Sequence, residues 1–549
     1  MNGFVIFRDL IEMLEPVFKG GAFKSSMPAG MQRAKMLARV IKSQRTPEWP
    51  TPPSNSLPSK NVCDELVEHY LRTMETLYRV LHVPTFRREY DALWTSGAEP
   101  KTPFIMQLKL VLAIGAIFYD ENCSMRADAT RWIYEAQTWL SSPDRKSRLG
   151  LQSLQTSILL LLAREMVDVG SELVWISAGS LLREAVYVGL HKSPATLPRM
   201  NLLESEMRRR LWNTILELNL QFSLISGGPC LISLDDFNTE APGNFNDEQL
   251  ITSEASVRPD HTFTQTSLAI ALRKTLPARL AVIKFLNDLA TTGTYEETLR
   301  VDAEMRASQK TLRRTLQVFT SNSPIPPPFA LDAIDFIMQR YISSLHIPYF
   351  NASLHAPIYA FSRKTVLDTS LRIWNLAASL PTQHDMSRAC ICGAGFFRAF
   401  AFHASSFLAV ELRAQIQDED SVPRPDLIHI PRDAAAMVLR TIEAGETGIK
   451  GFLLLRVIEA HIEGIRRSLD RDAMTEVLGR AAECAVEMCV PMLEKVAGQE
   501  EGGNGVEGGA GDFHFGMSGD FMEDWDGMME GGFEFDAVGG GGGFDGFFT

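Results

Sequence analysis

Apolar side chains recur every three or four residues along most of this chain, and two such stripes lie near its middle. The stripes consist of Val174, Ala178, Leu181, Ala185 and Val188, followed by Leu211, Ile215, Leu218, Phe222 and Ile225. This spacing places the apolar side chains on one face of an α-helix. Gly189 and Pro194 follow the first stripe and Gly227 follows the second, as expected where helices end.

The same periodicity predicts helices over most of the chain between residues 61 and 497. They cover residues 62–78, 105–118, 129–140, 153–167, 268–289, 295–319, 330–345, 362–380, 390–412, 432–444, 450–469 and 472–496. Runs that alternate between apolar and polar residues, which would predict strands, are scarce. The predicted fold class is therefore all-α, with one large multi-helix domain over residues 61–497.

An amphipathic segment, a basic segment and a proline-rich linker make up residues 1–60. The basic residues are Arg33, Lys35, Arg39, Lys42 and Arg45, and the apolar side of the same predicted helix holds Met36, Leu37, Val40 and Ile41. One interpretation is a nuclear-import or phosphate-contacting helix. The favoured interpretation is an amphipathic helix docked on the main domain. Five prolines in residues 46–60 predict an extended linker.

The composition changes abruptly in residues 498–549, which contain twelve acidic residues, no Lys or Arg, and about one-third glycine. Such a segment is predicted to be disordered, because it can form neither a core nor a stable helix alone. Mutual repulsion of the acids would keep the aromatic side chains available to a groove on a coactivator, as in an activation domain. The candidate activation residues are Phe513, Phe515, Phe521, Trp525, Phe533 and Phe535. The alternative is a linker without function, or a tail that folds back on the domain.

Charge and cysteine content narrow the class of protein. The net charge of −13 comes almost entirely from the tail, so the rest of the chain shows no extended basic surface for nucleic acid. Seven scattered cysteines are typical of reduced intracellular thiols. The chain has no signal-peptide pattern, and the uninterrupted apolar run at residues 158–163 is too short to span a bilayer. We expect no membrane partner.

Several groups of residues resemble catalytic or metal-binding patterns, but each is better explained by a structural role. Arg208 to Arg210 follow Glu206 on a predicted helix, where Glu206 can reach Arg209 at i+3 or Arg210 at i+4, which favours structural ion pairs over phosphate binding. In a calcium loop starting at Asp236, the sixth position would be Ala241 instead of the required glycine, which favours capping and turn roles for the acids of residues 235–247. Cys390, Cys392, Cys484 and Cys489 lack structural zinc spacing and are expected to be core thiols. The histidines expected to be hydrogen-bonded structural residues at helix ends are His82, His191 and His346. No catalytic, cofactor-binding or metal-binding residues are predicted.

The order of several short motifs resembles the regulatory middle region of fungal zinc-cluster transcription factors. One motif comprises Leu81, His82, Pro84 and Phe86, and a similar one recurs at residues 345–349. The others comprise Gly189, Leu190 and His191; Glu206, Arg209, Arg210 and Trp212; Gly228 and Pro229; and Asp236, Pro242 and Asp247. Gly228 replaces the arginine that the family has in this turn. The resemblance covers roughly residues 61–460.

The resemblance implies a nuclear regulator of RNA polymerase II transcription, controlling for example a biosynthetic or catabolic gene cluster. In that family six N-terminal cysteines hold two zinc ions and bind DNA, whereas the first cysteine here is Cys63. Promoter contact is therefore expected through an upstream zinc cluster missing from these residues or through a partner, and no cofactor is expected in this chain. The implied partners are promoter DNA, a coactivator and a second subunit, as homodimer or heterodimer. The alternative is a co-regulator or dominant-negative partner of full-length relatives that does not bind DNA.

Overall fold

The computed structural model of this protein describes residues 26–95, 100–143, 149–251, 256–288, 293–321, 323–378, 384–418 and 422–501. The predicted all-α class is confirmed, because these residues form helices and short 3-10 turns with no strand. The amphipathic segment predicted for residues 1–20 and the acidic-aromatic tail from residue 502 onward lie outside the described residues.

In the described part of the chain, nine helices precede residue 230. They are α1 (Met27–Arg45), α2 (Lys60–Arg72), α3 (Met74–Tyr78), α4 (Val83–Thr95), α5 (Thr102–Gly115), α6 (Arg126–Leu140), α7 (Leu151–Val167), α8 (Val174–Tyr187) and α9 (Leu202–Ser226). Two of them lie deepest in this half of the domain. Every residue of α5 from Phe104 onward is buried, and most of α9 is buried on all sides.

Ten helices follow in the described part of the second half. They are α10 (Ser267–Arg273), α11 (Leu276–Leu286), α12 (Tyr295–Thr320), α13 (Pro328–Ser353), α14 (Ala360–Ala377), α15 (Asp385–Ile391), α16 (Gly395–Gln417), α17 (Ile430–Glu443), α18 (Lys450–Arg466) and α19 (Arg471–Glu501). Helices close in sequence pack together along this series, with α13 against α14, α14 against α16, and α18 against α19.

The first and last described helices meet. Met27, Met31, Ala34, Leu37 and Ile41 form the buried face of α1, which packs along α19. Residues 46–59 then run without helix, as the prolines predict, from α1 to α2. The hydrophobic core is continuous from Met27 to Ala497, so α1 and the helices of the main domain share one core.

The helix predicted over residues 62–78 is interrupted at Thr73, between α2 and α3, and two further predicted helices are each broken into two. The segment predicted as one helix over residues 390–412 forms α15 and α16, which meet at 86°. Gly395 adopts a left-handed φ of +75°, and a Cβ atom there would lie 1.9 Å from Glu165 Oε1. The Glu165 carboxylate accepts the N–H of Phe396 at 2.7 Å and so caps α16. The second break separates α10 from α11 just before Pro277, which occupies the first turn of α11.

Within the described residues, no single helix is long and apolar enough to cross a membrane. The bent pair α15 and α16 reaches the required length and composition only when the two helices are taken together. Phe396, Phe397, Phe400 and Leu408 of α16 are core residues of the domain.

Candidate functional site

Several of the motif residues converge on one buried carboxylate, that of Asp247. Its Oδ1 accepts hydrogen bonds from Arg79 Nη2 at 2.5 Å and from Arg210 Nη1 at 2.7 Å. Its Oδ2 accepts the backbone N–H of Val83 at 2.9 Å. None of the Asp247, Arg79 and Arg210 side chains is more than 5% exposed. The Asp247 cluster, as we call it, consists of Glu75, Arg79, His82, Arg210 and Asp247.

The two carboxyl groups of the cluster have pKa values shifted in opposite directions. Burial alone would raise the pKa of Asp247, but the charges of Arg79 and Arg210 outweigh burial and lower it to about 2. Burial raises the pKa of Glu75 to about 7 against the opposing charge of Arg79, whose Nη1 lies 3.7 Å away. Asp247 is therefore the ionised partner of both arginines at neutral pH.

His82 connects the cluster to the start of α4. Its Nε2 lies 2.9 Å from the backbone oxygen of Asp247, and its Nδ1 lies 2.7 Å from Thr85 Oγ1. The neighbouring motif residues Leu81 and Phe86 are core residues, and Pro84 stands in the first turn of α4. His82 is thus a hydrogen-bonded structural residue at a helix end, as expected.

The three successive arginines of α9 point to three different surroundings, because successive residues on a helix are rotated by about 100°. Arg208 Nη2 donates to the backbone oxygen of Val188 at 2.9 Å, and Arg209 Nη1 donates to Glu206 Oε1 at 2.7 Å. Arg210 points inward to Asp247. A structural ion pair is confirmed for Glu206 and Arg209, but the alternative pairing of Glu206 with Arg210 is wrong.

The loop before Asp247 is fixed to α9 at two points. Glu206 Oε2 accepts the N–H of Gly243 at 2.8 Å, next to the buried Pro242, and Arg210 binds Asp247 four residues later. The capping role expected for Asp236 is confirmed, since its carboxylate accepts the N–H of Ser233 at 3.1 Å. For Asp247 the sequence predicted only a capping or turn role, and it missed the buried ion pairs that its carboxylate forms with Arg79 and Arg210.

The turn after α8 packs beside this loop. Gly189 has a φ of +80°, a left-handed conformation that favours glycine, and Leu190 is fully buried. The His191 ring centroid lies 6.4 Å from that of Trp212, which lies 5.5 Å from that of Phe237.

The turn at Gly228 and Pro229 does not join the Asp247 cluster. A Cβ atom on Gly228 would lie 2.7 Å from the Trp175 ring, so this turn packs against α8. Arg210 lies eighteen residues earlier along α9, a separation of about 27 Å at 1.5 Å per residue.

Two placements that the sequence predicted elsewhere in the chain are wrong. His346 lies inside α13, where it bonds Ser362 Oγ at 2.8 Å, and Cys484 is exposed.

Sequence reasoning missed other buried charges. Arg279 Nη1 and Nη2 bind the carboxylate of Glu217 at 2.5 and 2.7 Å. Lys109 Nζ lies 2.5 Å from Glu135 Oε2 and 2.9 Å from the backbone oxygen of Ser54, which joins the linker to α5 and α6. Each charged residue stands inside an apolar helical stripe, and that position is the signal from which burial could have been inferred.

A cavity of about 340 Å³ lies beside the cluster, between α4 and the start of α9. Its polar lining includes His82, Glu89, Gln107, Gln155 and Glu204, and Phe86 and Phe104 belong to its apolar wall. None of the described side chains around the cavity is Lys or Arg. The carboxyl groups of Glu89 and Glu204 therefore disfavour an anionic occupant of this cavity.

The described residues do not fit a zinc cluster. They hold no group of three or more His, Cys, Asp or Glu side chains that could bind a metal ion. Cys63, Cys123, Cys390, Cys392 and Cys489 are buried free thiols.

The candidate basic residues lie on α1. Arg33 Nη2 lies 3.2 Å from Glu494 Oε1, and Arg45 Nη1 donates to the backbone oxygen of Gly445 at 2.7 Å. Lys35, Arg39 and Lys42 lie between them on the same helix. The docked amphipathic helix is therefore found, but Met36 and Val40, expected on its apolar side, are 54% and 43% exposed.

Comparison with known proteins supports the family resemblance that the sequence motifs indicated. A family model described as "Fungal specific transcription factor domain" matches residues 67–320. The chain is 36% identical over 430 residues to "Transcription factor opdR" of Penicillium oxalicum, covering 74% of this chain and 54% of that protein. It is 36% identical over 323 residues to "Transcription factor lepE" of Aspergillus flavus, covering 58% and 39%. It is 28% identical over 410 residues to "Aspyridones cluster regulator apdR" of Emericella nidulans, covering 69% and 54%.

The chain thus spans about half the length of the curated relatives it matches. The matched region contains the Asp247 cluster and every motif from Leu81 to Asp247. Residues 67–320 of this chain therefore carry a fungal specific transcription factor domain, and the chain is similar to curated fungal transcription factors.

Proposed function

We propose that this protein is a nuclear regulator of RNA polymerase II transcription that controls a biosynthetic or catabolic gene cluster, and that it is not an enzyme. The observation that carries the proposal is the family match over residues 67–320, together with relatives named as transcription factors and as a cluster regulator. The Asp247 cluster supports a structural role for the matched region, since the buried Asp247 carboxylate is bound by two arginines and a backbone N–H from distant segments.

In this proposal the acidic-aromatic tail supplies activation. The tail would bind a coactivator through Phe513, Phe515, Phe521, Trp525, Phe533 and Phe535. The test is a fusion of residues 498–549 to a neutral DNA-binding domain, read by a reporter gene. We expect activation, and its loss when Phe521, Trp525, Phe533 and Phe535 are replaced by alanine while every acid is kept. A silent fusion would reject the activator role.

DNA contact is proposed to come from a zinc cluster outside these 549 residues or from a partner chain, in a homodimer or heterodimer. Support comes from α1, whose Arg33 and Arg45 are held by Glu494 and Gly445 of the domain. The test is binding of promoter DNA by the purified chain over a salt series with zinc added. We expect no sequence-specific binding. Specific, salt-sensitive binding would contradict this assignment and direct mutation to Arg39 and Lys42.

A further inference from the structure

Helix α1 presents an exposed face that combines positive charge with apolar surface. Lys35, Arg39 and Lys42 form one stripe along the helix at spacings of four and three. Met36 and Val40 form the adjacent stripe and are 54% and 43% exposed. Exposed apolar side chains beside cations are typical of a surface that binds an acidic, apolar segment.

Part of the positive charge of this face is not neutralised within the described part of the chain. Arg33 is paired with Glu494, and Arg45 is bound to the backbone of Gly445. In contrast, Arg39 and Lys42 are exposed, and the described residues offer neither of them an ion-pair partner. An acidic segment that contacts Arg39 and Lys42 would therefore gain charge pairing without displacing an ion pair of those two residues within the described part of the chain.

The tail leaves the domain beside this face. Helices α1 and α19 run side by side in the same direction, because the N–H of Ser26 bonds Glu483 Oε1 at 3.1 Å and Gln44 Nε2 lies 3.5 Å from the backbone oxygen of Ala497. Helix α19 ends at Glu501, next to the C-terminal end of α1. Met36 lies six residues before Lys42, about 9 Å along the helix axis. The twelve residues from Glu501 to Phe513 can span about 40 Å, so reach does not limit contact.

The composition of the tail complements the face. Residues 502–549 contain ten acidic and nine aromatic residues and no Lys or Arg. Attachment at Glu501 gives these residues an effective concentration on the order of millimolar at α1, so even a weak contact would be populated.

We propose that the acidic-aromatic part of the tail, residues 512–536, binds in cis to the Lys35, Met36, Arg39, Val40 and Lys42 face of α1. Acidic side chains pair with the cations while aromatic side chains cover Met36 and Val40. The regulatory consequence of this contact rests on the proposed activator role. The bound tail withholds its aromatic residues from a coactivator, and a ligand or partner that occupies α1 releases them.

The contact is tested by zero-length carbodiimide cross-linking of the full chain, followed by mass spectrometry. We expect Lys35 and Lys42 to cross-link to tail carboxylates in a yield that does not depend on protein concentration. Lys310, on the exposed side of α12, is the reference lysine and should give few such products. Equal yields from Lys310 and Lys35 would overturn the proposal. A yield that rises with concentration would assign the contact to the tail of a second copy and would equally reject binding in cis.

Charge reversal supplies a matched pair of variants. The double change Arg39→Glu and Lys42→Glu should lower the yield from Lys35 about five-fold, because each attraction becomes a repulsion. The control, Lys310→Glu with Arg314→Glu, makes the same change of net charge on exposed residues of α12 and should leave that yield unchanged. Far-UV circular dichroism checks that both proteins keep their helices. Equal yields in the two variants would reject the contact.

A reporter assay separates this proposal from the activator role. In the full chain fused to a neutral DNA-binding domain, the α1 double variant should raise reporter output about five-fold over the α12 control. If residues 498–549 alone are silent while the Lys35 cross-links form, the activator role fails and the contact stands. If those residues alone are active while the cross-links are absent, the contact fails and the activator role stands.

Discussion

At the scale of single residues, Asp247 is the point at which several of the family motifs meet. Its carboxylate receives two arginines and a backbone N–H from segments far apart in the chain. The sequence predicted Asp247 as a turn residue, because its neighbours are Asn, Pro and Gly. Its partner Arg79 lies 168 residues away, a separation that no local pattern reveals.

Asp247→Asn should destabilise the protein strongly. The change removes the carboxylate that the buried guanidinium groups of Arg79 and Arg210 share and leaves Arg210 without its ion-pair partner, which costs about 3–5 kcal/mol of unfolding free energy. Urea unfolding followed by far-UV circular dichroism measures the effect. The control is Asp235→Asn on the exposed surface of the same loop, expected to cost less than about 0.5 kcal/mol. Similar unfolding midpoints for the two variants would contradict the role given to Asp247.

Glu165 should make the folded state less stable as the pH rises, whereas a carboxylate with a lowered pKa makes it more stable. Burial raises its pKa to about 7 from an ordinary value of 4.5, although the N–H of Phe396 opposes the shift. The folded state therefore holds a proton that the unfolded state releases, so this contribution to stability is lost as the pH rises from 5 to 7.

Glu165→Gln tests this dependence. The neutral amide can still accept the N–H of Phe396 and no longer titrates. The unfolding free energy of the variant relative to wild type should therefore increase by about 2 kcal/mol between pH 5 and pH 7. Thermal and urea unfolding at both pH values measure the difference, with exposed Glu204→Gln as the control. A difference that stays constant with pH would show that Glu165 is ionised throughout this range.

At the scale of elements, helix positions followed from periodicity, but helix ends and orientations did not always follow. The break between α15 and α16 requires both the left-handed Gly395 and a carboxylate from α7 to cap Phe396. For α1, the sequence predicted a helix with apolar and basic sides. It did not predict which apolar side chains would face α19, because two candidate stripes lie close together on this helix.

A pair of substitutions on α1 tests its docking. Ile41 is fully buried against the domain, whereas the adjacent Val40 is 43% exposed. Ile41→Ala should cost about 2–4 kcal/mol, because it leaves a cavity in the shared core. Val40→Ala should cost less than about 0.5 kcal/mol. Both are measured by urea unfolding of the full chain. Equal costs would mean that α1 does not pack on α19 through this face.

At the scale of the whole molecule, the described helices form one structure closed by its first and last members. The core extends from Met27 in α1 to Ala497 in α19. The linker between α1 and α2 is fixed by Ser54, which bonds Glu135 and Lys109. The sequence divided residues 1–60 from the main domain, yet α1 contributes five buried side chains to that domain's core.

Two truncations test this closure. Ending the chain at Glu501 removes no described core residue, so the unfolding free energy should change by less than about 1 kcal/mol. Ending it at Asp470 removes the buried side chains of Leu478, Val486 and Leu493 and exposes the inner face of α1. That chain should unfold at a clearly lower urea midpoint or aggregate. Equal midpoints would show that α19 does not contribute to the core.

The all-α class, the approximate position of nearly every helix, the resemblance to the transcription factor domain and the chemistry of the acidic-aromatic tail could all be predicted from the amino-acid sequence. These properties depend on local spacing and composition, which are written along the chain. The tertiary structure decided that Arg210 binds Asp247 rather than Glu206, that α15 and α16 separate, and that Met36 and Val40 face solvent. Each of these depends on a group distant in sequence, because an ion-pair partner, a helix cap and a buried face are fixed by neighbours in space.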